Sequence, residues 1–192
     1  MSTATPTSVK TCCHNSETAL TDRQRILGID PGSRKTGFGV LDFVGDRAFY
    51  VASGSVHSAV GDFAARLRLI FRSVAEIAAE YHPDAVVIES IFVHRNAMSA
   101  LKLGQARSAA LCATFALDIA VYEYAPREIK QAVVGTGAAT KAQVQHMVRS
   151  LLKLQGEPSP DAADALAAAL CHGHQRRLHT RLAGAAVLAG LR

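Results

Sequence analysis

Four cysteines are too few, and too irregularly spaced, to give this 192-residue chain a disulfide framework or a zinc site. Cys12 and Cys13 lie in a polar stretch, and Cys112 and Cys171 sit within apolar helical patterns. A reducing cytoplasm is the compartment such cysteine usage implies. The first 25 residues lack the apolar core of a signal peptide. No hydrophobic run is long enough to cross a bilayer, and the apolar stretch at residues 182–191 is too short to do so. Secreted disulfide scaffolds, zinc modules and membrane-spanning proteins are therefore set aside, and no membrane partner is expected.

What the chain does have is a large apolar fraction, 49% of its residues, which suits one domain with a full core. Its formal charge is +5. A basic chain with a local acidic cluster suggests a polyanionic substrate and a cation-filled site, although charge alone is weak evidence.

Hydrophobic periodicity divides the chain. Residues 1–24 are Ser/Thr-rich without a period and read as a disordered N-terminal extension. Residues 25–30, 37–42 and 48–55 read as three strands of an antiparallel meander. Residues 61–81 carry apolar positions at helical spacing, and His82-Pro83-Asp84 stops that helix. A fourth strand covers 85–89, a small-residue helix 96–116 and a fifth strand 119–124. A short helix follows Pro126, another spans 140–154, and a last helix runs from Pro160 to about 174. Ser159 is its expected N-cap and Pro160 its first residue. Residues 176–192 form an Arg-rich, basic C-terminal tail. The order β-β-β-α-β-α-β, followed by helices, predicts an α/β fold: a mixed five-stranded sheet flanked by helices, with the fourth strand able to pair beside the first.

Two of these strands end on carboxylates, Asp30 and Glu89, and two more, Asp161 and Asp164, stand three apart at the start of the last helix. Each has an ordinary explanation by itself. Asp30 fits a turn before Pro31-Gly32, Glu89 a strand end, Asp161 a helix N-terminus, and Asp164 an exposed helical position. Together they are harder to dismiss. Ionised carboxylates are costly to bury unless paired or metal-bound, and residues three apart share one helix face. Four oxygen donors from two strand ends and one helix suit Mg²⁺ or Mn²⁺. Two such ions roughly 4 Å apart activate a water and stabilise a leaving 3′ oxygen. Asp30, on a central strand, is the natural bridging ligand.

The motifs carrying these residues resemble the bacterial RuvC family of Holliday-junction resolvases. They are Ile26-Leu-Gly-Ile-Asp-Pro-Gly-Ser-Arg34 with Gly37-Phe-Gly-Val40, Ile88-Glu-Ser-Ile-Phe92, and Asn96-Ala-Met-Ser-Ala-Leu-Lys-Leu-Gly-Gln-Ala-Arg107. Lys130-Gln-Ala-Val-Val-Gly135, Lys141-Ala-Gln-Val-Gln-His-Met-Val148 and Asp161-Ala-Ala-Asp-Ala-Leu166 continue the resemblance in family order, over about residues 25–175. The resemblance implies an RNase H-like nuclease domain over that span. It also implies a homodimer and Mg²⁺- or Mn²⁺-dependent paired nicking of four-way DNA junctions, in recombination and DNA repair. The family's four acids fall on Asp30, Glu89, Asp161 and Asp164. Lys141 and Lys130 match the family's active-site and DNA-backbone lysines, against an ordinary reading as solvated helix charge, and Phe92 matches an aromatic that stacks on a junction base, although an aromatic just past a strand is usually core. A branch-migration motor and a junction-binding tetramer are implied as partners. The 24-residue extension departs from the family pattern.

Other residues have more ordinary readings beside them. Arg95, Lys102 and Arg107 would extend a phosphate track, or simply be solvated charge. His172 and His174 flank a glycine without a Cys/His partner set and read as surface residues. The small residues of 96–116 suit a dimer interface and packing on the sheet equally. Competing functions are another RNase H-like nuclease, acting on RNA or branched DNA, and an actin-like ATPase or sugar kinase. The latter needs a second domain of similar size, for which the chain leaves no room. A catalytically silent DNA-binding module gains no support from four intact acids.

Overall fold

The computed structural model describes residues 23–90 and 97–188, with residues 177–188 as helical backbone only. Five strands form one mixed sheet: β1 (Arg23–Asp30), β2 (Lys35–Val44), β3 (Arg47–His57), β4 (Ala85–Glu89) and β5 (Ala120–Tyr124). Their spatial order is β3-β2-β1-β4-β5. The meander β1-β2-β3 is antiparallel, while β4 lies parallel to β1 and β5 parallel to β4. This is the mixed α/β sheet that the sequence predicts, with β4 beside β1.

The helices are α1 (Phe63–Tyr81), α2 (Ala97–Cys112), α3 (Pro126–Val134), α4 (Lys141–Leu152) and α5 (Pro160–Leu188). Asp62 caps α1 by accepting from the Ala65 backbone N–H at 2.7 Å. His82 ends it in a left-handed conformation at φ 45°. Strand alternation divides these helices between two faces. Leu27, Ile29, Val86 and Ile88 pack against Ile70, Val74, Ala106 and Ala110 of α1 and α2. Ile26 and Val87 point the other way, to Ile129, Val144, Leu166 and Leu170 of α3, α4 and α5. By the same period of two, Asp30 continues the Ile26 side of β1, and Glu89 the Val87 side of β4. Both acids therefore belong to the α5 face.

Glycine explains how closely α5 approaches that face. A Cβ at Gly28 would run into the Ala165 carbonyl, and one at Gly37 would meet the Asp161 carbonyl and stand 3.2 Å from the Ala162 nitrogen. Gly37 is the cross-strand partner of Asp30. The first turn of α5 thus rests directly on the sheet backbone next to Asp30. Gly37→Ala is expected to lower stability by about 1–3 kcal/mol through overpacking, and to reduce nicking by lifting Asp161 off the sheet. Gly156→Ala, where an added methyl would meet nothing within 4 Å, should be near neutral. Chemical denaturation of both variants compares them. Equal stability for the two would dismiss the close-approach argument.

Several boundaries differ from the sequence reading: β2 and β3 extend beyond 37–42 and 48–55, and α2 ends at Cys112 rather than 116. β1 begins at Arg23, because pairing with β2 extends to Arg23↔Val44 and Arg25 forms a two-pronged contact with Asp42 at 2.7 and 2.9 Å. The rest of the expected extension, residues 1–22, lies outside the described residues. The last helix does not stop near 174 but continues to Leu188, so residues 176–188 of the expected tail are helical. Arg, Leu, Ala and Gln are good helix formers, no proline interrupts the stretch, and one or two glycines cost too little to break it.

Candidate active site

Asp30 and Glu89 are delivered by neighbouring parallel strands, whose register pairs Ile29 with Ile88 just before the two acids. Asp161 and Asp164 are delivered by the N-terminal turns of α5. Ser159 caps that helix, its Oγ accepting from the Ala162 N–H at 3.3 Å, and Pro160 is its first residue. Asp30, Glu89 and Asp164 line one open cavity of about 1070 Å³, together with Ser90, Lys130 and Lys141. Asp161 sits one turn earlier and is not among the lining residues, although its charge acts on Asp30.

The electrostatics reflect crowding of like charges. Burial pushes the Asp30 carboxyl up to about 8, and the negative charges of Glu89, Asp164 and Asp161 push the same way against Lys141. Burial also raises Glu89, helped by Asp164 and opposed by Lys141 and Lys130. Lys141 opens α4, where Thr140 and Gln143 form a capping box. Its ammonium donates to Asp164 Oδ2 at 2.9 Å, and this bond holds the lysine protonated above its ordinary range. Among the described residues, no three His, Cys, Asp or Glu side chains are drawn close enough to enclose an ion as they stand. The donor set itself, carboxylate oxygens from rigid elements in a partly desolvated cleft, fits a hard divalent cation. An acid held up to about 8 by burial and then by like charges is a site where added positive charge is favourable.

The basic residues separate. Lys130 and Lys141 line the acidic cavity. Lys102 lies over the Phe63 ring, 6.0 Å from its centroid. Arg107 is held in an ion pair with Glu123 of β5, its side chain only 17% exposed, beside a second and smaller cavity. That pairing removes it from a free phosphate track. Phe92 and Arg95 lie outside the described residues.

His172 corrects the surface reading. It is 3% exposed. Tyr122 and Tyr124 alternate onto the face of β5 that α5 crosses. The Tyr124 hydroxyl and His172 Nδ1 share a 3.0 Å hydrogen bond, and the Tyr122 ring centroid is 4.1 Å from the imidazole. Burial, with Arg176 nearby, pushes the imidazole down to about 4. His174 is half-buried. The sequence reading also passed over Arg127, which lines the acidic cavity. Its spacing of three from Lys130 on α3 was the available signal.

A mixed sheet with acids converging from β1, β4 and the last helix defines an RNase H-like nuclease. The match to known proteins narrows the class. Residues 26–172 match the family model described as crossover junction endodeoxyribonuclease RuvC. A protein of that name from Alkalilimnicola ehrlichii is 56% identical over 158 residues, covering 82% of this chain and 96% of the relative. Another from Photobacterium profundum is 53% identical, covering 84% and 93%. Among solved structures, Thermus thermophilus RuvC in complex with Holliday junction substrate superposes with a TM-score of 0.76 at 36% identity, covering 82% of this chain and 97% of that one. The chain belongs to the RuvC family of crossover junction endodeoxyribonucleases, which are divalent-metal enzymes. The kinase-like alternative falls with that membership. No helix among the described residues is long and apolar enough to cross a membrane.

Proposed function

We propose that this protein resolves four-way (Holliday) DNA junctions by paired symmetric nicks, in recombination and DNA repair. The observation that carries the reading is the cavity in which Asp30, Glu89 and Asp164 face Lys130 and Lys141, in a chain of this family. Asp30, Glu89, Asp161 and Asp164 are the residues that would hold two divalent ions, Mg²⁺ or Mn²⁺. When bound, such ions supply an activated water and neutralise charge on the leaving 3′ oxygen. The chain's own part is positioning. Asp30 sits on a central strand that the α5 contact keeps rigid. Lys141, now bonded to Asp164, has a flexible stem that lets its ammonium turn to the phosphate undergoing attack. Lys130 binds the DNA backbone beside it, and Arg95 and Lys102 are expected to add backbone contacts elsewhere. Phe92, three residues after Glu89, stacks on an unpaired base at the crossover.

Two such sites on a two-fold axis would match a junction of two-fold symmetry, so a homodimer is part of the reading. Met98 and Leu101 of α2, 60% and 57% exposed, supply an apolar face for it. The nuclease domain, expected over residues 25–175, begins with β1 at Arg23 and takes in α5. A branch-migration motor and a junction-binding tetramer are its expected partners. Cys112 and Cys171 are free thiols, which suits the cytoplasm.

The deciding experiment offers a synthetic mobile four-way junction, a linear duplex of the same sequence and an RNA–DNA hybrid, with and without Mg²⁺ or Mn²⁺. Paired nicks at opposing positions of the junction, only with metal, are expected. Equal cutting of the linear duplex, or preference for the hybrid, would assign another RNase H-like activity.

A further inference from the structure

Arg127 occupies an unusual position for a cation. It is the second residue of α3, directly after Pro126, at the end of the helix where the backbone dipole disfavours positive charge. The acid of the same turn, Glu128, answers the helix dipole but does not pair with Arg127. Among the described residues its guanidinium enters no ion pair. The adjacent Glu128 carboxylate is turned back to the Ala125 N–H, from which it accepts at 2.7 Å. Helix stability therefore does not explain the residue.

The surroundings of Arg127 are built. Its stem lies flat against Gly137. A Cβ at that glycine would collide with the Arg127 side chain, standing 3.0 Å from Nε and 3.2 Å from Cδ. Gln131, one turn along α3, locks the same loop from both sides. Its Nε2 donates to the Gly135 carbonyl at 2.7 Å, and its Oε1 accepts from the Gly137 N–H at 3.1 Å. The loop leads through Thr140, the cap of α4, to Lys141. Arg127 and Lys130 share a face of α3, and both line the cavity that holds Asp30, Glu89, Asp164 and Lys141.

We propose that Arg127, seated on Gly137, is a phosphate-binding residue that grips the DNA backbone at the α3 wall of the active-site cavity. This rests on the junction-cleaving reading above and adds a residue and its supporting seat to it. A guanidinium presents a planar fork that matches two phosphate oxygens, and Lys130 and Lys141 offer point charges on the same wall. The glycine matters because only a position without a Cβ lets the stem lie against a locked loop, which limits the freedom the guanidinium loses on binding.

The test measures junction affinity against salt concentration, without divalent metal so that no strand is cut. Wild type, Arg127→Ala, Arg127→Lys, Gly137→Ala and the Arg127→Ala/Gly137→Ala double variant are compared, with thermal melts to confirm folding. Arg127→Ala should weaken binding about tenfold at moderate salt and reduce the slope of log affinity against log salt by about one. Arg127→Lys should keep the slope while recovering only part of the affinity. Gly137→Ala should weaken binding by itself and do nothing further in the Arg127→Ala background. An unchanged slope for Arg127→Ala beside a normal wild type overturns the proposal and leaves the junction reading intact. A Gly137→Ala loss that persists undiminished in the double variant overturns the seat. Wild type that does not distinguish a junction from linear duplex overturns the underlying reading, and the proposal with it.

Discussion

Replacing Asp30, Glu89, Asp161 or Asp164 with its amide should slow junction nicking by roughly 10²–10³-fold or more, while junction affinity stays near that of the wild type. An amide keeps the size of the side chain and removes the charge that a divalent ion needs. DNA binding rests on other groups, the lysines and arginines, so it should survive. Removing a carboxylate from a cleft that faces polyanionic DNA can even tighten binding slightly. The four positions should not respond alike to metal concentration. Glu89, Asp30 and Asp164 line the cavity, whereas Asp161 stands one turn back. Partial rescue by raised Mn²⁺ is expected first at Asp161→Asn. Single-turnover cleavage across a metal titration, paired with a binding assay, reads both effects. A variant that nicks at near wild-type rate in Mg²⁺ would remove its residue from the ion-holding set.

The second large effect is on stability against pH. The Asp30 carboxyl is held up to about 8, chiefly by burial and then by Glu89 and Asp164. In the unfolded chain it titrates near the ordinary carboxylate value of 3.8. Between those two pH values the folded, metal-free protein binds more protons than the unfolded chain, so stability falls as pH rises through the window. Above about 8 this contribution levels off, and below about 4 it vanishes because both states are protonated. Glu89 is shifted in the same direction and adds to the slope. Asp30→Asn removes the charge, so in the absence of metal it should be more stable than wild type near pH 8, by a few kcal/mol as an order of magnitude. The difference should shrink toward pH 4. A divalent ion reverses the balance, since it binds the ionised form and stabilises the folded state by mass action. Thermal melts of both proteins from pH 4 to 9, with and without Mg²⁺, check this. Because His172, held down to about 4, works in the opposite sense below pH 6.5, the comparison is between the two proteins: an advantage of Asp30→Asn over wild type that does not grow from pH 5 to 8 without metal would refute the crowded-carboxylate picture.

Residue pattern already located most of the elements that carry the site. The apolar run before Glu89 predicted a strand over 85–89, and β4 is Ala85–Glu89. Ser159 and Pro160 predicted the start of α5, because capping and proline preference are local properties of the backbone. Misreadings arose where a distant partner decides. His172 has no sequence neighbour that would bury it; Tyr122 and Tyr124, about fifty positions earlier, do so through the crossing of α5 over β5. Arg107 read as a free cation until Glu123 of β5 came beside it. For Arg127 the spacing from Lys130 was the only local signal, and its contact with Gly137 lies across a loop, so the sequence did not single it out.

By itself, then, the sequence determined the order and type of the elements, the pairing of Asp161 with Asp164 on one helix face, and the family. These follow from periods of 2 and 3.6 residues and from caps a few positions away. Only the tertiary structure decided which face of the sheet the acids share, how near α5 can come, and which cations remain free. Those outcomes depend on strand register, on the missing Cβ atoms of Gly28 and Gly37, and on partners far apart in the chain. Alternation along β1 and β4 places Asp30 and Glu89 on a common side only once the two strands lie parallel and in register. Charge crowding at Asp30 arises only when a helix that begins 130 residues later lies down on that side.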